Sequence, residues 1–494
     1  MNFKIIDLFS GAGGLSTGAS QVPGVEVIAC VNHDEVAIKS HKANHPKTLH
    51  FTEDVRDMKV IEHLTALVKS MRKKDPETKI VLWASLECTN FSKAKGVLPR
   101  EADSRTLANY LDYYIEAFSP DAMWIENVEE FMAWGELDEN GKPISKKKGT
   151  DYVAWIQRIQ AYGYQFDYRL LNSADFGAYT SRRRYFAQFV KHGFPVAWPE
   201  PTHCKKGSTD LFGKLKPWKA VKHVLDFSDK GQSIFTRKKP LSENTLKRIY
   251  AGLIKYVANG DTSFLKQYNG GGTDQRVLSI DRPATSISTN NRHALVQPDF
   301  MIQYNGKSTA NSVNQPCNTI PTKDRFQLVW LDKQFTGSNN HQPVSRPAGA
   351  VLGNDKHALV SAFLMNPQFN SNGSSIDKPC FTLIARMDKK PPYLVQVDTG
   401  EVAIAVYKTD SPTMILIKQF MAAYGISDIY MRMLKIPELL RIQGFPEDYV
   451  LLGTQTQQKK FIGNAVEVTM GKSLISAQMI AFDEIIVQSH SMVG

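Results

Sequence analysis

A glycine-rich turn near the start of the chain constrains the fold more than any other segment. The turn, Asp7 to Gly14 (DLFSGAGG), follows the apolar run Phe3 to Ile6 and precedes the helical pattern of Leu15 to Ala19. This order predicts a buried strand, a tight turn and a helix, where glycines let backbone amides approach an anionic ligand. The spacing is neither the dinucleotide fingerprint G-x-G-x-x-G nor a phosphate loop ending in Gly-Lys-Ser/Thr. The turn alone therefore indicates a nucleotide-like ligand without naming it.

Short apolar runs alternate with helical patterns over the first 195 residues. Helical patterns cover Val60–Lys69 and Leu107–Phe118. The predicted strands are Phe3–Ile6, Val25–Val31, Ile80–Ala84, Ala122–Ile125, Tyr164–Leu171 and Tyr185–Val190. This alternation predicts an α/β domain with a largely parallel sheet, whose ligands bind beyond the carboxyl ends of the strands.

Bulk composition restricts the class of protein. The 494 residues suffice for two or three domains, and the net charge of +11 favours a polyanionic partner, although charge that only confers solubility explains it as well. The five cysteines are scattered and form no C-x-x-C pair, which argues against a disulfide framework or a zinc site and for a reducing compartment. With no apolar run long enough for a membrane span and no basic leader, we expect a cytoplasmic protein without a membrane partner.

A repeat runs through residues 260 to 415. Its Pro-containing motifs recur roughly every 31 to 33 residues, at Arg282-Pro283-Ala284-Thr285, Gln315-Pro316-Cys317, Arg346-Pro347-Ala348, Lys378-Pro379-Cys380 and Ser411-Pro412-Thr413. Gly, Asn and Pro between short apolar runs predict strand–turn units. The basic residues within the units are suited to phosphates and base edges: Arg292, His293, Lys323, Arg325, Lys356 and His357. A purely structural β array with solvated turns is the alternative.

Two polar side chains follow neighbouring predicted strands. Cys88, in the segment Ser85 to Ser92 (SLECTNFS), comes just after the third strand, and Glu126 ends the fourth. A thiol at a strand end suits a nucleophile, although a buried, inert cysteine explains Cys88 as well when it is taken alone. A carboxyl group at the next strand end could move a proton over the same crevice, although an ordinary carboxylate at a helix start is the simpler interpretation of Glu126.

Six motifs in order give these segments a joint meaning. They are Asp7 to Gly14, Cys88-x-x-Phe91-Ser92, Glu126-Asn127-Val128, Arg182-x-Arg184, Arg441-x-Gln443-Gly444-Phe445-Pro446 and Gly463-Asn464-Ala465-Val466. In order and spacing the chain resembles the DNA (cytosine-5-)-methyltransferases over nearly its whole length. The resemblance implies a Rossmann-like methyltransferase core that uses S-adenosylmethionine, with a mostly β target-recognition domain formed by the repeats.

The resemblance also implies the chemistry. The Cys88 thiolate would add to C6 of a cytosine that has been flipped out of double-stranded DNA. Glu126 would hold and protonate N3, while Arg182 and Arg184 would orient the base. The cofactor would contact Phe9, Ser10, Gly11, Ala12, Gly13 and Gly14 through its methionine portion, Asn32 through its ribose, and Asp54 and Val55 through its adenine, with Leu107 and Asn464 completing the pocket. Without the resemblance, Leu107 is equally a helix core residue and Asn464 a helix cap.

The chain departs from the family pattern at four places. Glu87-Cys88-Thr89 replaces the usual Pro-Cys-Gln, Tyr179-Thr180 replaces Pro-Gln, Asn32 replaces a Glu, and Glu467 replaces a Pro. A carboxylate that points toward the thiol would raise the pKa of Cys88 and reduce its thiolate fraction. Two hypotheses follow: an active, divergent enzyme, which the retention of Cys88, Glu126, Arg182 and Arg184 favours, or a catalytically silent DNA-binding member. An RNA cytosine-C5 methyltransferase is a third alternative.

The predicted organisation has three parts. Residues 1–195 form the catalytic core, 196–415 the target-recognition domain, and 416–494 a helical segment that returns to the core. The predicted function is methylation of cytosine C5 in double-stranded DNA, with a cognate restriction endonuclease as a further candidate partner.

Overall fold

A computed structural model gives the structure of the chain. It describes residues 3–86, 107–136, 138–139, 144–145, 148–210, 213–229, 231–255, 257–259, 264–267, 277–285, 293–299, 406–424, 426 and 428–491, together with the short strands 302–303, 326–327, 330–333, 341–343, 357–359, 362–365 and 393–396. The chain forms two compact units. Unit 1 comprises Met1–Leu225, Asp281–Asn291 and Lys435–Gly494, and unit 2 comprises Asp226–Ile280 and Arg292–Leu434.

Unit 1 is built on a seven-stranded sheet. Its strands are β1 (Phe3–Leu8), β2 (Val25–Val31), β3 (Leu49–Phe51), β4 (Lys79–Ser85), β5 (Ala122–Asn127), β6 (Tyr164–Asn172) and β7 (Arg183–Lys191). They lie in the order β3-β2-β1-β4-β5-β7-β6, and only β7 runs antiparallel to its neighbours. The six predicted strands are confirmed within two residues at each end. The short edge strand β3 was not predicted, because three residues give no readable alternation.

Helices cover both faces of this sheet. The described α-helices of unit 1 are α1 (Gly14–Ala19), α2 (Glu35–Asn44), α3 (Met58–Lys74), α4 (Leu111–Phe118), α5 (Thr150–Ala161), α8 (Ile436–Ile442), α9 (Gln455–Asn464) and α10 (Val468–Ser491). Helices α6 (Glu243–Lys255) and α7 (Pro412–Tyr424) belong to unit 2. One buried cluster packs α3, α4 and α5 on the sheet, and another packs α1 and α10 on the opposite face. The two apolar faces explain the near-continuous apolar runs of the parallel strands.

The first residue of helix α1, Gly14, lies close to the segment that precedes helix α10. A Cβ atom at this residue would lie 2.3 Å from the Val466 carbonyl oxygen and 3.1 Å from the Val466 nitrogen. Both atoms belong to the backbone, so neither can rotate away. Gly14 is therefore required by packing between the opening turn and the start of α10.

A pair of alanine substitutions is expected to have opposite effects at this contact. Gly14→Ala should destabilise the protein by about 1–3 kcal/mol through overpacking. Gly471 lies inside helix α10, and a Cβ there would meet its nearest atom, Leu15 Cδ1, at 3.4 Å. Gly471→Ala should therefore stabilise the protein by about 0.5–1 kcal/mol through helix propensity. Urea unfolding of both variants and the wild type checks the signs. Equal shifts in the same direction would contradict the packing argument.

The first repeat motif belongs to unit 1. Thr180 forms an isolated parallel bridge with Ala284, whose nitrogen donates to the Tyr179 carbonyl at 2.7 Å, and the Thr180 hydroxyl donates to the Thr285 carbonyl at 3.2 Å. Tyr179 and Thr180 are the residues that depart from the family's Pro-Gln. Their backbone and hydroxyl groups thus hold residues 284–285 beside the segment that leads to Arg182.

Unit 1 also contains a small sheet, β8 (His203–Cys204), β10 (Gly213–Pro217) and β9 (Ser208–Asp210). In unit 2 a five-stranded sheet has the order β11-β22-β14-β12-β13, formed by β11 (Gln232–Ser233), β22 (Asp428–Met433), β14 (His293–Asp299), β12 (Phe264–Gln267) and β13 (Val277–Ser279). Helices α6 and α7 pack on it around Ile249, Leu253 and Ile417.

Between residues 300 and 400, only short strands are described: β15 (Ile302–Gln303), β16 (Phe326–Gln327), β17 (Trp330–Lys333), β18 (His341–Pro343), β19 (His357–Leu359), β20 (Ala362–Met365) and β21 (Tyr393–Gln396). Three further repeat motifs, at 315–317, 346–348 and 378–380, lie outside the described residues, as do Arg292, Lys323, Arg325 and Lys356. The last motif, Ser411-Pro412-Thr413, is described and leads into helix α7, so the strand–turn prediction is wrong there, because proline is well suited to the first position of a helix. The division at residues 195 and 415 stays a prediction.

Candidate active site

Unit 1 contains a cavity of about 360 Å³ at the carboxyl ends of the parallel strands. This is the position and size expected of a ligand site in an open α/β sheet. The cavity is lined by Asp7, Phe9, Ser10, Gly11, Leu15, Asn32, His33, Asp34, Ala37, Asp54, Val55, Arg56, Ser85, Leu86, Leu107, Glu126, Arg182, Lys460, Phe461, Asn464, Ala465 and Val466. The structure thus brings ten of the predicted site residues to one cavity: Phe9, Ser10, Gly11, Asn32, Asp54, Val55, Leu107, Glu126, Arg182 and Asn464.

The glycine-rich turn forms one wall of the cavity. Phe9 has φ of 58°, a left-handed conformation that is unusual for a bulky side chain, and Gly11 and Gly13 have φ of 54° and 99°. The turn is closed by backbone hydrogen bonds from Ser10 to Val31 at 3.2 Å and from Gly13 to Ser10 at 3.1 Å. Strain of this kind concentrates at ligand-binding segments. Ala12, Gly13 and Gly14 do not line the cavity: Ala12 packs against Ala37 and Phe461, Gly13 is the N-cap of α1 and Gly14 its first residue.

Asn32 and Asp34 form the wall after β2. The Asn32 Oδ1 atom accepts from the Asp34 backbone nitrogen at 2.9 Å, so Asn32 offers its amide NH₂ group as a donor. Asp34 caps helix α2 by accepting from the nitrogens of Val36 and Ala37 at 3.1 and 3.2 Å. The position where the family usually has a carboxylate therefore presents a neutral donor.

Asp54 is held by Arg56 through a two-pronged ion pair. Arg56 donates from Nε to Oδ1 at 2.9 Å and from an Nη atom to Oδ2 at 2.8 Å. These hydrogen bonds lower the pKa of Asp54, so the carboxylate is an oriented anion on the cavity wall. Val55 beside it is buried and packs in the main core.

Glu126 lies beside two arginines at the cavity. Glu126 is the penultimate residue of strand β5, and its side chain is 7% exposed. Its Oε1 atom lies 3.4 Å from Arg184 Nε and 3.8 Å from Arg182 Nη2. Arg182 is buried and donates from Nη1 to the Gly463 carbonyl at 2.9 Å. The two guanidinium groups hold the carboxyl group in one orientation at the cavity rim. Arg184 contacts Glu126 without lining the cavity itself.

The predicted nucleophile lies outside the described residues, as do Glu87, Thr89, Phe91 and Ser92. Ser85, the last residue of β4, is the register partner of Glu126, and Leu86 lines the cavity. Cys88 follows Leu86 by two positions in the chain. Its role stays a prediction.

Asp7 is a site residue that sequence reasoning did not single out. Its carboxyl group is fully buried on the cavity wall and accepts from the Ser16 hydroxyl at 2.9 Å. Its Oδ1 atom has no hydrogen-bond partner, and no Lys or Arg pairs with Asp7 in the described part of the chain. Burial raises the pKa of Asp7 to about 7.

Other lining residues could have been found from helical spacing. Lys460 and Phe461 precede Asn464 by four and three positions on α9, so they share its face. Lys460 Nζ also lies 3.8 Å from Asp34 Oδ2. Lys460 therefore adds a basic side chain to the cavity lining near Asp34, and no motif predicts it.

Glu467 explains one departure from the family pattern. Its carboxyl group is buried and accepts from the nitrogens of Thr469 and Met470 at 3.1 and 2.7 Å, at the start of helix α10. Burial raises its pKa to about 7 despite these hydrogen bonds. The Glu467 carboxyl group thus accepts from two amides that the start of the helix leaves unpaired. The family's Pro has no N–H of its own, which also suits a helix start.

A family model described as C-5 cytosine-specific DNA methylase matches residues 3–479. The chain belongs to this family. The membership predicted from the six motifs is confirmed, and so is the α/β, Rossmann-like methyltransferase core. The match extends beyond unit 1, since it includes the repeat region.

This methylase has curated relatives among bacterial type II methyltransferases. It is 28% identical over 501 residues to Type II methyltransferase M.AgeI of Thalassovita gelatinovora, which covers 97% of this chain and 99% of the relative. It is also 28% identical over 237 residues to M.AquIA of a Picosynechococcus strain, covering 46% of this chain and 88% of the relative.

Solved structures similar to this methylase include Spodoptera frugiperda DNMT2 and S. pombe Dnmt2 methyltransferase. The first has 14% identity and a TM-score of 0.47 over 97% of this chain and 100% of that chain. The second has 11% identity and a TM-score of 0.46 over 97% and 99%. Among the described residues, no helix is long and apolar enough to cross a membrane.

Proposed function

We propose that this chain transfers a methyl group from S-adenosylmethionine to C5 of cytosine in double-stranded DNA. The observation that carries the proposal is the Glu126 carboxyl group, fixed by Arg182 and Arg184 at the rim of a cavity that the glycine-rich turn helps to form. A fixed acid beside an enclosed pocket suits the activation of one base next to one cofactor. The net charge of +11 supports a polyanionic substrate.

The cavity residues fit the proposed cofactor. Asp54 can accept from an amino group of adenine, with Val55 and Leu107 supplying apolar surface for the ring. Asn32 and Asn464 offer amides for hydroxyl and amino-acid groups. When bound, S-adenosylmethionine supplies a methyl group activated on a sulfonium. The strained Phe9 and the adjacent Gly11 would follow its methionine portion.

The base is activated by covalent addition. The Cys88 thiolate forms an S–C6 bond, while Glu126 in its acid form gives a proton to N3, so that electron density moves to C5. C5 is then able to accept the methyl group. Loss of the C5 proton to a solvent water re-forms the C5–C6 double bond, expels the Cys88 thiolate and returns the N3 proton to Glu126. The base must leave the duplex for both ring faces to be accessible.

The roles of the arginines follow from their contacts. Arg182 is anchored to the Gly463 carbonyl and cannot swing out, so it acts as a positioning residue for Glu126. Arg184 has greater exposure at 17%, which leaves its guanidinium accessible to the base or an adjacent phosphate. A cognate restriction endonuclease, suggested by the type II relatives, stays a predicted partner.

Trapping on a fluorinated base tests the proposal. Duplex DNA containing 5-fluorocytosine should form a denaturant-resistant adduct with the protein only when S-adenosylmethionine is present, since fluorine at C5 blocks the final elimination. Cys88→Ser should abolish the adduct, whereas Cys204→Ser, at a half-buried cysteine away from the cavity, should retain it.

Each alternative gives a different result. Salt-sensitive DNA binding without any adduct would indicate a silent family member, as the Glu87 and Thr89 departures allow. An adduct with single-stranded or structured RNA but not with duplex DNA would indicate an RNA methyltransferase. Bisulfite sequencing of DNA from cells that express the protein would then identify the target site.

A further inference from the structure

A cluster of metal-binding side chains lies under helices α1 and α2, beside the proposed cofactor cavity. Cys30, His41 and His50 each offer a ligand atom, and these three atoms lie within 4.8 Å of one another. Cys30 and His41 are buried, and His50 is half-buried. The sequence had argued against a zinc site, because its cysteines form no zinc-binding motif.

Strand register assembles the cluster. A bulge in β2, opposite Ile5 and Ile6, shifts the pairing of β1 with β2, so that Asp7 lies opposite Cys30, and Cys30 in turn lies opposite His50 on β3. In adjacent parallel strands, paired residues point to the same face. Helix α2 then places His41 over this row. Strands β2 and β3 and helix α2 therefore supply the three candidate ligands, and strand β1 places the Asp7 carboxyl group beside them.

The nitrogen geometry is close to that of an ion site. His41 Nδ1 and His50 Nε2 lie 3.0 Å apart. Two nitrogens on a tetrahedral zinc ion, each at about 2.0–2.1 Å, lie about 3.3 Å apart, so the rings need to separate by only a few tenths of an ångström. The Cys30 sulfur lies within 4.8 Å of both nitrogens. It would move about 1 Å toward them to bind the same ion at the usual Zn–S distance of about 2.3 Å.

A second set of hydrogen bonds orients His41. Its Nε2 atom lies 2.9 Å from the Ser16 hydroxyl oxygen, and that hydroxyl donates to Asp7 at 2.9 Å. Because Ser16 donates to Asp7, its oxygen accepts from the Nε2–H of His41, which leaves the Nδ1 lone pair facing His50. Metal-bound histidines characteristically donate their other N–H toward a carboxylate in this way.

Charge points to the same occupant. Asp7 is a fully buried carboxyl group whose Oδ1 atom lacks a hydrogen-bond partner, and the described residues include no basic partner for it. A divalent cation bound by one thiolate would leave one positive charge, which the neighbouring Asp7 carboxylate would balance. Buried charges are ordinarily paired or serve a metal ion.

We propose that Cys30, His41 and His50 bind one zinc ion, with water as the fourth ligand. The ion would enter beside His50, on the edge strand β3, where the cluster meets solvent. Binding releases the Cys30 thiol proton to solvent. The His50 proton, which Nε2 donates to His41 Nδ1 in the metal-free protein, is exchanged through solvent for one on Nδ1, so that Nε2 coordinates the ion. Cys30 and His41 flank residues 32–37, four of which line the cavity wall after β2, so the ion would brace that wall.

Metal titration of the full chain tests the proposal. Protein treated with a chelator and dialysed should bind one equivalent of Zn²⁺ in competition with a chromophoric chelator. Bound Co²⁺ should give a thiolate charge-transfer band and tetrahedral visible bands. His50→Ala should weaken Zn²⁺ binding by more than about 100-fold, and Ser16→Ala by about 10–100-fold, the range for residues that orient a ligand.

The controls separate this site from other cysteines. Cys30→Ser should remove the Co²⁺ charge-transfer band, whereas Cys204→Ser should leave the band and the Zn²⁺ affinity unchanged. Because Cys30 is buried, His50→Ala on the edge strand provides a variant expected to keep its circular dichroism spectrum. No tight equivalent, or one that persists unchanged in both Cys30→Ser and His50→Ala, overturns the proposal. None of these readouts depends on methyl transfer.

Discussion

Replacing Glu126 by Gln is expected to lower kcat for DNA methylation by about 10²–10⁴-fold, the usual contribution of a positioned acid or base. Glutamine keeps the size and a hydrogen-bonding oxygen but cannot give a proton to N3. The two arginines would still contact the Gln oxygen, so the affinity for DNA and cofactor should change little. Single-turnover methylation of duplex DNA, with separate binding measurements, checks the expectation.

A neighbouring carboxylate provides the matched control. Glu129 follows the same strand, is 46% exposed and lies 3.9 Å from Arg183, but it does not line the cavity. Glu129→Gln should keep nearly the wild-type rate. A Glu126→Gln variant that folds, binds DNA and methylates at the wild-type rate would remove Glu126 from the proposed chemistry. Loss of DNA binding instead would show that its role is to order Arg182 and Arg184.

The second large effect concerns the stability of the fold at different pH values. Burial holds the pKa of Asp7 near 7, against about 3.8 for an exposed carboxyl group. The folded state therefore keeps this proton where the unfolded state has released it. As pH rises from about 4 to 7, the free energy of unfolding falls, by at most about 4 kcal/mol from this group. Above pH 7 the loss is complete and constant.

Asp7→Asn should remove this pH dependence. Its amide oxygen can still accept from Ser16, and no charge is buried, so the variant should equal the wild type near pH 4 and exceed it by about 2–4 kcal/mol at pH 8. The groups facing Asp7 are Ser16 and Cys30, with His41 beyond Ser16. Urea unfolding at both pH values in a chelating buffer measures the difference.

The control for this experiment is an exposed aspartate. Asp483 lies on the solvent side of α10, so Asp483→Asn should run parallel to the wild type at every pH. Glu467, whose pKa is also raised to about 7, is present in all three proteins and cancels from the comparison. Parallel wild-type and Asp7→Asn curves would show that Asp7 is ionised without cost in the folded state.

Much of the core was predictable because local pattern and tertiary fold agree there. The runs at Val25–Val31 and Ala122–Ile125 are long, apolar and bounded by turn residues, and they became β2 and β5. Helix α2 was not predicted, because two of its four buried residues, Ser40 and His41, are polar and interrupt the apolar periodicity. Motifs predicted the family, which the family match confirmed.

Motifs predicted some of the residues that line the cavity but not others. Asp54 and Asn464 could be placed by motif, and the structure brings both to the cavity. Arg56 was not singled out, although it lies only two residues from Asp54, because no motif includes it. Lys460 was accessible from helical spacing but carries no motif of its own.

The sequence by itself determined the six longer strands of the main sheet, the glycine turn and the family, because these depend on residues close together in the chain. Only the tertiary structure decided which distant groups meet. The Gly463 carbonyl accepts a hydrogen bond from Arg182, the Val466 backbone excludes a side chain at Gly14, and a bulge in β2 aligns Asp7 with Cys30. Side-chain contacts across strands depend on register, and shifting the register by one residue reverses the face on which every side chain lies.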